Sequence, residues 1–157
     1  MARITTNTSG TQPVISVSLN SGMTDNITVP FVQDVTITNS TGVYSYTTFS
    51  DADTRKLSTP ADNEISTNIV VDDDTWFGTT GPAGTTAAEK GLLNLSGEKD
   101  LVFFEVYYAG SAGAGKPFTT GQGFISGLAP TVSPDAPVWV SPLTIAVDGS
   151  FTQDETA

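Results

Sequence analysis

Apolar residues along this chain recur at every second position more often than at the three-to-four spacing of a helix. Most of it therefore reads as strands with one buried face. Ile15, Val17 and Leu19 share a face in the first such run. Ile27, Val29 and Phe31 share a face in the second, where Pro30, lacking an amide hydrogen, predicts an edge or bent strand. Val35 and Ile37 form a short third run. "NSTG" (Asn39 to Gly42) reads as a turn, and "VYSYTTF" continues as a strand with Tyr44 and Tyr46 on one face.

The alternation then stops. From Ser50 to Asn63, "SDADTRKLSTPADN", Leu57 is the only large apolar residue, and a long polar loop between two strands is predicted. Hairpin connections usually have about 2–5 residues, and longer ones tend to carry function. Alternation resumes in "EISTNIVVDDDTWF", where Ile65, Ile69 and Val71 share a face. The strand is expected to run on through Asp72 and Asp74, which fall on one side, with Asp73 on the other.

"GTTGPAG" (Gly78 to Gly84) breaks the chain before a single helical pattern, at about residues 86–96. Thr86 and Glu89 have the spacing of a capping box, in which a hydroxyl and a carboxylate satisfy orphan amides at the helix start. Ala88, Leu92 and Leu95 then predict the buried side, and Gly97 predicts the stop. Gly91 is an unfavourable residue within it. "DLVFFEVYYA" is apolar on both faces and predicts a central strand, interrupted by Glu105. Strands follow at Gln122 to Leu128 and from Trp139 onward, where Trp139, Leu143, Ile145, Val147 and Phe151 all fall on odd positions. "APTVSPDAP" is a stiffened connection between them, and Asp148-Gly149 reads as a turn. Polar ends are expected at Met1 to Pro13, an arm without the apolar stretch of a signal peptide, and at Thr152 to Ala157, a tail.

Composition narrows the chemistry. At 157 residues the chain has the size of one domain, spanning 1–157. Its charged fraction is 15%, with Ser, Thr, Gly and Asn filling the difference, which suits a β-rich protein with many turns. No apolar run approaches a membrane span. Cysteine and histidine are both absent. That removes most zinc sites, Ser-His and Cys-His nucleophile pairs and the usual neutral-pH base. Seventeen acids against 6 bases give a formal charge of −11, and only Arg55 and Lys56 are adjacent bases, so no phosphate-binding surface is expected.

Candidate motifs have plainer readings. "GSAGAGK" (Gly110 to Lys116) fits most of a phosphate loop, but Pro117 stands where a magnesium-binding Ser or Thr is needed, and no helix follows. Asp51 and Asp53 begin a calcium-like spacing that Arg55 breaks. Asp72 and Asp74 on one face could hold an ion weakly, though a solvated acidic rim is simpler. Carboxylate-pair hydrolysis is left open by spacing alone, yet the aromatic residues fall inside strand patterns rather than on sugar platforms. The four N-x-[ST] frames, at Asn7, Asn26, Asn39 and Asn94, are what so Thr-rich a chain contains by chance. No enzyme, cofactor or metal is expected.

The order of elements from Val14 to Phe151 resembles the tail tube (major tail) proteins of long-tailed bacteriophages. The resemblance rests on the helix ending in "GLLNLSGEKD", the strand "LVFFEVYYAG", and the series "GQGFISGLAPTVSPDAPVWVSPLTIAVDGSF". It implies a mostly β fold, a two-sheet antiparallel sandwich or barrel with one short helix and a long inter-strand loop. It implies a virion subunit, made in the host cytoplasm, that self-assembles into stacked hexameric rings. DNA would pass through without specific binding, and tape measure and tail terminator proteins would be further partners. The loop Ser50 to Asn63, through Asp51, Asp53, Arg55, Lys56 and Leu57, would contact the next ring. Asp72, Asp74 and Glu105 are the candidate acids of the channel wall, where negative charge keeps phosphates from sticking. A capsid decoration or baseplate β-protein and a β-sandwich adhesin or carbohydrate-binding module are the alternative readings.

Overall fold

The computed structural model describes residues 12–29, 31–49, 52–110, 116–135 and 138–155. Alternation in the sequence becomes eight strands: β1 (Val14–Ser18), β2 (Ile27–Val29), β3 (Asp34–Tyr46), β4 (Arg55–Val70), β5 (Leu101–Tyr107), β6 (Pro117–Leu128), β7 (Val140–Val147) and β8 (Thr152–Glu155). Between β4 and β5 lie α1 (Asp73–Phe77), a 3-10 turn (Gly81–Ala83) and α2 (Ala87–Glu98). Every strand pairing is antiparallel, in the order β2-β1-β5-β6-β7-β4-β3, with β8 on β6.

The mostly β reading with a short helix holds, but its division into two sheets does not. One continuous ladder joins all eight strands, because β6 is long enough to serve several partners. Its Phe118 to Phe124 pair with β5, while Gly123 to Leu128 pair with β7. The sheet curls around one core. Ile27 and Val29 from one end and Ile65 and Ile69 from near the other join the same buried cluster as Phe104. Glycines make the tight curl possible. A Cβ on Gly121 would come within 2.8 Å of the Phe104 ring, and one on Gly123 within 2.3 Å of the Ala146 carbonyl oxygen.

Central β5 is fully buried on its core face and only partly covered on the other, where Tyr107 is its one buried residue. Val102, Phe104 and Val106 are fully enclosed, whereas Leu101 is exposed and Phe103 and Glu105 are half-buried on the reverse side. Asp148-Gly149 is not a reversal. β8 continues in the direction of β7 along the same edge of β6, with Val147 opposite Gly123 and Thr152 opposite Thr120. The interruption between them leaves a hollow of about 390 Å³ beside Gln122, Asp148 and Ser150. Thr152–Glu155 are therefore a paired strand rather than a free tail; residues 156–157, and all but the last two residues of the Met1 to Pro13 arm, lie outside the described residues. The phosphate-loop-like glycines at 111–115 do too.

The largest departure is in the polar segment. "NSTG" is not a turn, since Asn39, Ser40 and Thr41 pair with Asn63, Asp62 and Ala61, and a register shift follows at Gly42. Pairing then runs to Tyr46 opposite Arg55. Most of the expected loop is strand, and the connection itself is residues 47–54. β4 pairs with β7 only through Glu64 to Val70, so beyond Asn63 the hairpin stands out as a two-stranded arm. At its root Asn63 is buried and donates to the Gly149 carbonyl (3.1 Å), while its own side-chain oxygen has no partner among the described residues.

α2 begins as expected. The Thr86 hydroxyl accepts from the Glu89 amide (3.2 Å), and the Glu89 carboxylate accepts from the Thr85 and Thr86 amides (2.8 and 3.2 Å). The Thr85 amide first, with its hydroxyl and the Thr86 amide, holds the Glu89 carboxyl below the usual carboxylate range. Gly91 then breaks helical geometry at φ 77°, ψ 162°. The break shifts the inward face. Ala87 is buried before it and Leu92 and Leu95 after it, so Ala88 is exposed. The helix does not stop at Gly97; Lys99, left-handed at φ 59°, is its cap. Lys90 folds back over the second half to reach Asp100 (2.6 Å) and Glu98, and these two contacts raise its pKa.

Gly91 has a second reason to be glycine. A Cβ there would lie 2.3 Å from the Gly78 amide nitrogen at the end of α1. Gly91→Ala is expected to cost about 3 kcal/mol, combining a clash with a positive φ. Gly97→Ala meets no neighbour and is expected to stabilise by about 0.5–1 kcal/mol; denaturant melts read both. Glu89 gives a pH test. A depressed folded-state pKa contributes stability that is present above the unfolded value and lost as pH falls through the folded one. Glu89→Gln is expected to lower Tm near neutrality, with the gap to the parent protein closing as pH drops through the carboxylate range.

Candidate interaction surfaces

Three surfaces carry what the sequence nominated: the arm, the open face of the sheet, and the outer side of the helices.

The arm is made of strand-forming residues with nothing to cover. Its two strands are exposed from Thr38 to Ser45 and from Arg55 to Asp62. Val43, Tyr44 and Leu57 are each more than half exposed, and Phe49 is fully so. Tyr44 lies opposite Leu57 and stacks along the strand on Tyr46, with ring centroids 6.3 Å apart. Lys56 and Arg55 stand opposite Ser45 and Tyr46 near the free end. Of the predicted loop residues, Arg55, Lys56 and Leu57 are thus brought together on β4, and Asp53 lies in the exposed connection. Asp51 is outside the described residues. An isolated two-stranded hairpin is marginal in water, so exposed aromatic and aliphatic side chains on one mark a surface that gains by being covered.

The open face is the side of the sheet away from the core. Alternation places Asp34, Glu64, Glu105 and Asp154 there, each opposite a small polar or aromatic partner: Asn68, Ala146 with Thr38, Ser16 with Thr120, and Phe118. Glu105 accepts from the Tyr107 hydroxyl (3.2 Å), and Tyr107 stacks on Phe118. Burial, with the Glu105 charge and hydrogen bond added, pushes the Tyr107 phenol above its ordinary pKa. Outside the arm, no described strand contains a Lys or Arg. The strands of this face therefore carry acids and no bases, with Lys116 just before β6.

The helical side holds the other two nominated acids. Asp72 does not continue a strand. It is the N-cap of α1, and its carboxylate accepts from the Thr75 amide (3.3 Å) and hydroxyl (3.1 Å). Asp73 and Asp74 occupy the first turn, where the helix dipole favours them. Trp76 is buried in the core beside Leu92 and Leu95, which fixes α1 on the side opposite Glu105. The three candidate channel acids are therefore split between two faces. A run of Asp before Thr-Trp was the signal for a helix start, and strand periodicity overrode it. Sequence reasoning also missed Phe77 of α1 and Leu93 of α2, both exposed. Among the described residues no group of three or more acids converges as a metal site, and no helix is long and apolar enough to cross a membrane.

No family model matches the sequence, and no curated protein is found as a relative. Solved structures do match. A chain from the tail of an empty gene transfer agent particle, refined with C6 symmetry, aligns over 91% of this chain and 96% of its own at TM-score 0.61 and 13% identity. A chain from an extracellular contractile injection system, described as the PVC sheath/tube terminator in the extended state, aligns over 97% and 99% at TM-score 0.58 and 14% identity. A chain from the anti-feeding prophage baseplate aligns over 97% and 98% at TM-score 0.56 and 7% identity. At such identities the likeness is one of fold, and it spans nearly the whole of each chain.

Proposed function

We propose that this protein is a structural, non-enzymatic subunit of a virion tail that assembles with copies of itself into stacked rings, forming a tube through which DNA passes. The observation that carries the reading is the arm: a two-stranded ribbon with exposed Val43, Tyr44, Phe49 and Leu57 on a fold shared with tail and injection-system components. A ribbon of this kind is stabilised by docking on a neighbour. The C6 symmetry of the gene transfer agent tail supports hexameric rings. A tail terminator and a tape measure protein would be the partners at the tube's end and interior. A baseplate position is the second reading, favoured by the anti-feeding prophage match.

The open face is assigned to the channel wall. Asp34, Glu64 and Glu105, with no base among the strands around them, repel phosphates and release no counterions, so no binding opposes sliding. Repetition around a ring multiplies the field of one chain. Asp72 and Asp74, on the helical side, are not assigned to that wall.

Two experiments test the proposal. Replacing Ser40 to Asp62 by Asn-Gly joins the last sheet-bound pair, Asn39 and Asn63, through a two-residue turn. The shortened subunit is expected to keep its β circular dichroism and to form no long tubes by electron microscopy; tubes of normal length would rule out the arm as the stacking element. Glu64→Lys with Glu105→Lys is expected to assemble into tubes that retain duplex DNA at low salt and release it as salt rises, while the parent tube retains none. Normal tubes from the double variant with no retained DNA would place the channel wall elsewhere.

A further inference from the structure

The hollow between β7 and β8 has an origin and a lining of its own. Val147 pairs with Gly123 and Thr152 with Thr120, so Asp148 to Phe151 stand against only Gly121 and Gln122 of β6. The longer stretch has to bow away from its partner. Phe151 packs against the core. The Asp148 amide donates to the Gln122 carbonyl (2.9 Å), and the Gln122 side-chain amide donates to the Asp148 carboxylate (3.0 Å). At the root of the arm, Asn63 donates to the Gly149 carbonyl (3.1 Å). The bow is therefore tied from both sides, and the space it leaves has a volume of about 390 Å³.

The lining suits one kind of ligand. Phe103 supplies an aromatic ring, Asp148 a carboxylate, and Thr120, Ser150 and Thr152 hydroxyls. Gln122 has given an amide hydrogen to Asp148, and its side-chain oxygen is a further acceptor. Among the described residues no Lys or Arg lines the space. An anion would meet the Asp148 charge with nothing to neutralise it. A divalent metal ion takes about six oxygen ligands or more, and here a single carboxylate is present, with no group of three acids converging among the described residues. A neutral polyol can use the hydroxyls but leaves the carboxylate charge unanswered. An alkylammonium group uses every part. Its N–H donors reach carboxylate, amide and hydroxyl oxygens, its charge offsets Asp148, and a cation beside an aromatic ring is attracted to it. Glu105, opposite Thr120 on the same face, adds to the negative potential.

We propose that this hollow binds an alkylammonium group, one to each subunit. Asp148 and Gln122 already hold one another in place, so binding orders few side chains. The site does not depend on the stacked-ring reading. On that reading, each subunit of the channel wall presents a seat for the kind of cation that neutralises DNA phosphates, exchanged between wall and duplex. The group can belong to a free amine or to a lysine side chain of another protein, and the two share the same chemistry.

Equilibrium dialysis of the whole chain against labelled putrescine, a diamine, at fixed ionic strength tests the site. The expected result is saturable binding at one equivalent per chain. Butanediol, the same carbon chain with hydroxyls in place of amines, is expected not to displace it. Asp148→Asn is expected to weaken binding roughly tenfold, and Phe103→Leu about threefold. Asp73→Asn removes the same unit charge from the opposite side of the sheet and is expected to leave the affinity within about twofold. A capped lysine, Nα-acetyl-lysine methylamide, identifies the source. Displacement at a lower concentration than unlabelled putrescine requires assigns the site to a protein's lysine, and displacement only at a higher one assigns it to a free amine. Equal losses from Asp148→Asn and Asp73→Asn would overturn the proposal, since that is diffuse attraction of cations to a chain of charge −11. Absence of saturable binding would overturn it too. So would displacement of putrescine by butanediol, a measurement on the parent chain that makes the hollow a polyol site instead.

Discussion

Burial of one face of the curled sheet beneath α2 is the constraint on which the rest of the molecule depends. Val102, Phe104 and Val106 of the central strand reach a core that α2 closes with Leu92 and Leu95 and α1 seals with Trp76. Most of the large buried side chains are spent on that face, and on the other Tyr107 is buried against Phe118. The open face can then be polar and acidic without loss of stability, and the hairpin beyond Asn63 can leave the sheet altogether. The Gly78–Gly91 contact follows from the same constraint. Two short helices must share one small core, and they do so by bringing backbones closer than any side chain would permit.

Much of this was legible where a residue's choice is local. The capping box at Thr86 and Glu89 depends on four consecutive residues, and it formed as read. Strands facing the core alternate because their environment alternates, so Ile15 and Val17, Ile65 and Ile69, and Leu143 and Ile145 were correctly placed. The second strand of the arm was read as loop for the converse reason. A ribbon with no core beneath it has no buried face, so Arg55 to Asp62 shows no apolar period. Ladder hydrogen bonds alone keep it extended, and these leave no mark on hydropathy.

The other misreadings share a cause. Asp148-Gly149 has the composition of a turn, yet whether it reverses the chain depends on which strand lies alongside. β6 had room on one edge for both β7 and β8, so the chain kept its direction. Gly97 has the composition of a helix stop, yet α2 had already spent a glycine on its kink at Gly91 and found its end at Lys99. The candidate acids show it most clearly. Asp72, Asp74 and Glu105 look alike in sequence, but one caps a helix, one lies in its first turn and one faces the open side of a strand. A carboxylate's role is set by what the fold puts beside it.

The strand order also says how such a chain reaches this state. β1 with β2, β3 with β4, and β5 through β7 are each neighbours in sequence and in space. They are three local units that need only short loops to close. Two seams join them, Ile15 against Val106 and Ile65 against Ile145, and both link residues far apart along the chain. Loop-closure entropy makes such seams the slow part of folding. Until they close, β5 and β7 each expose an unpaired edge and an uncovered apolar face, the features that lead partly folded chains to associate wrongly. Residence in that open state, more than the equilibrium stability of the finished subunit, sets how much newly made chain is lost to aggregation.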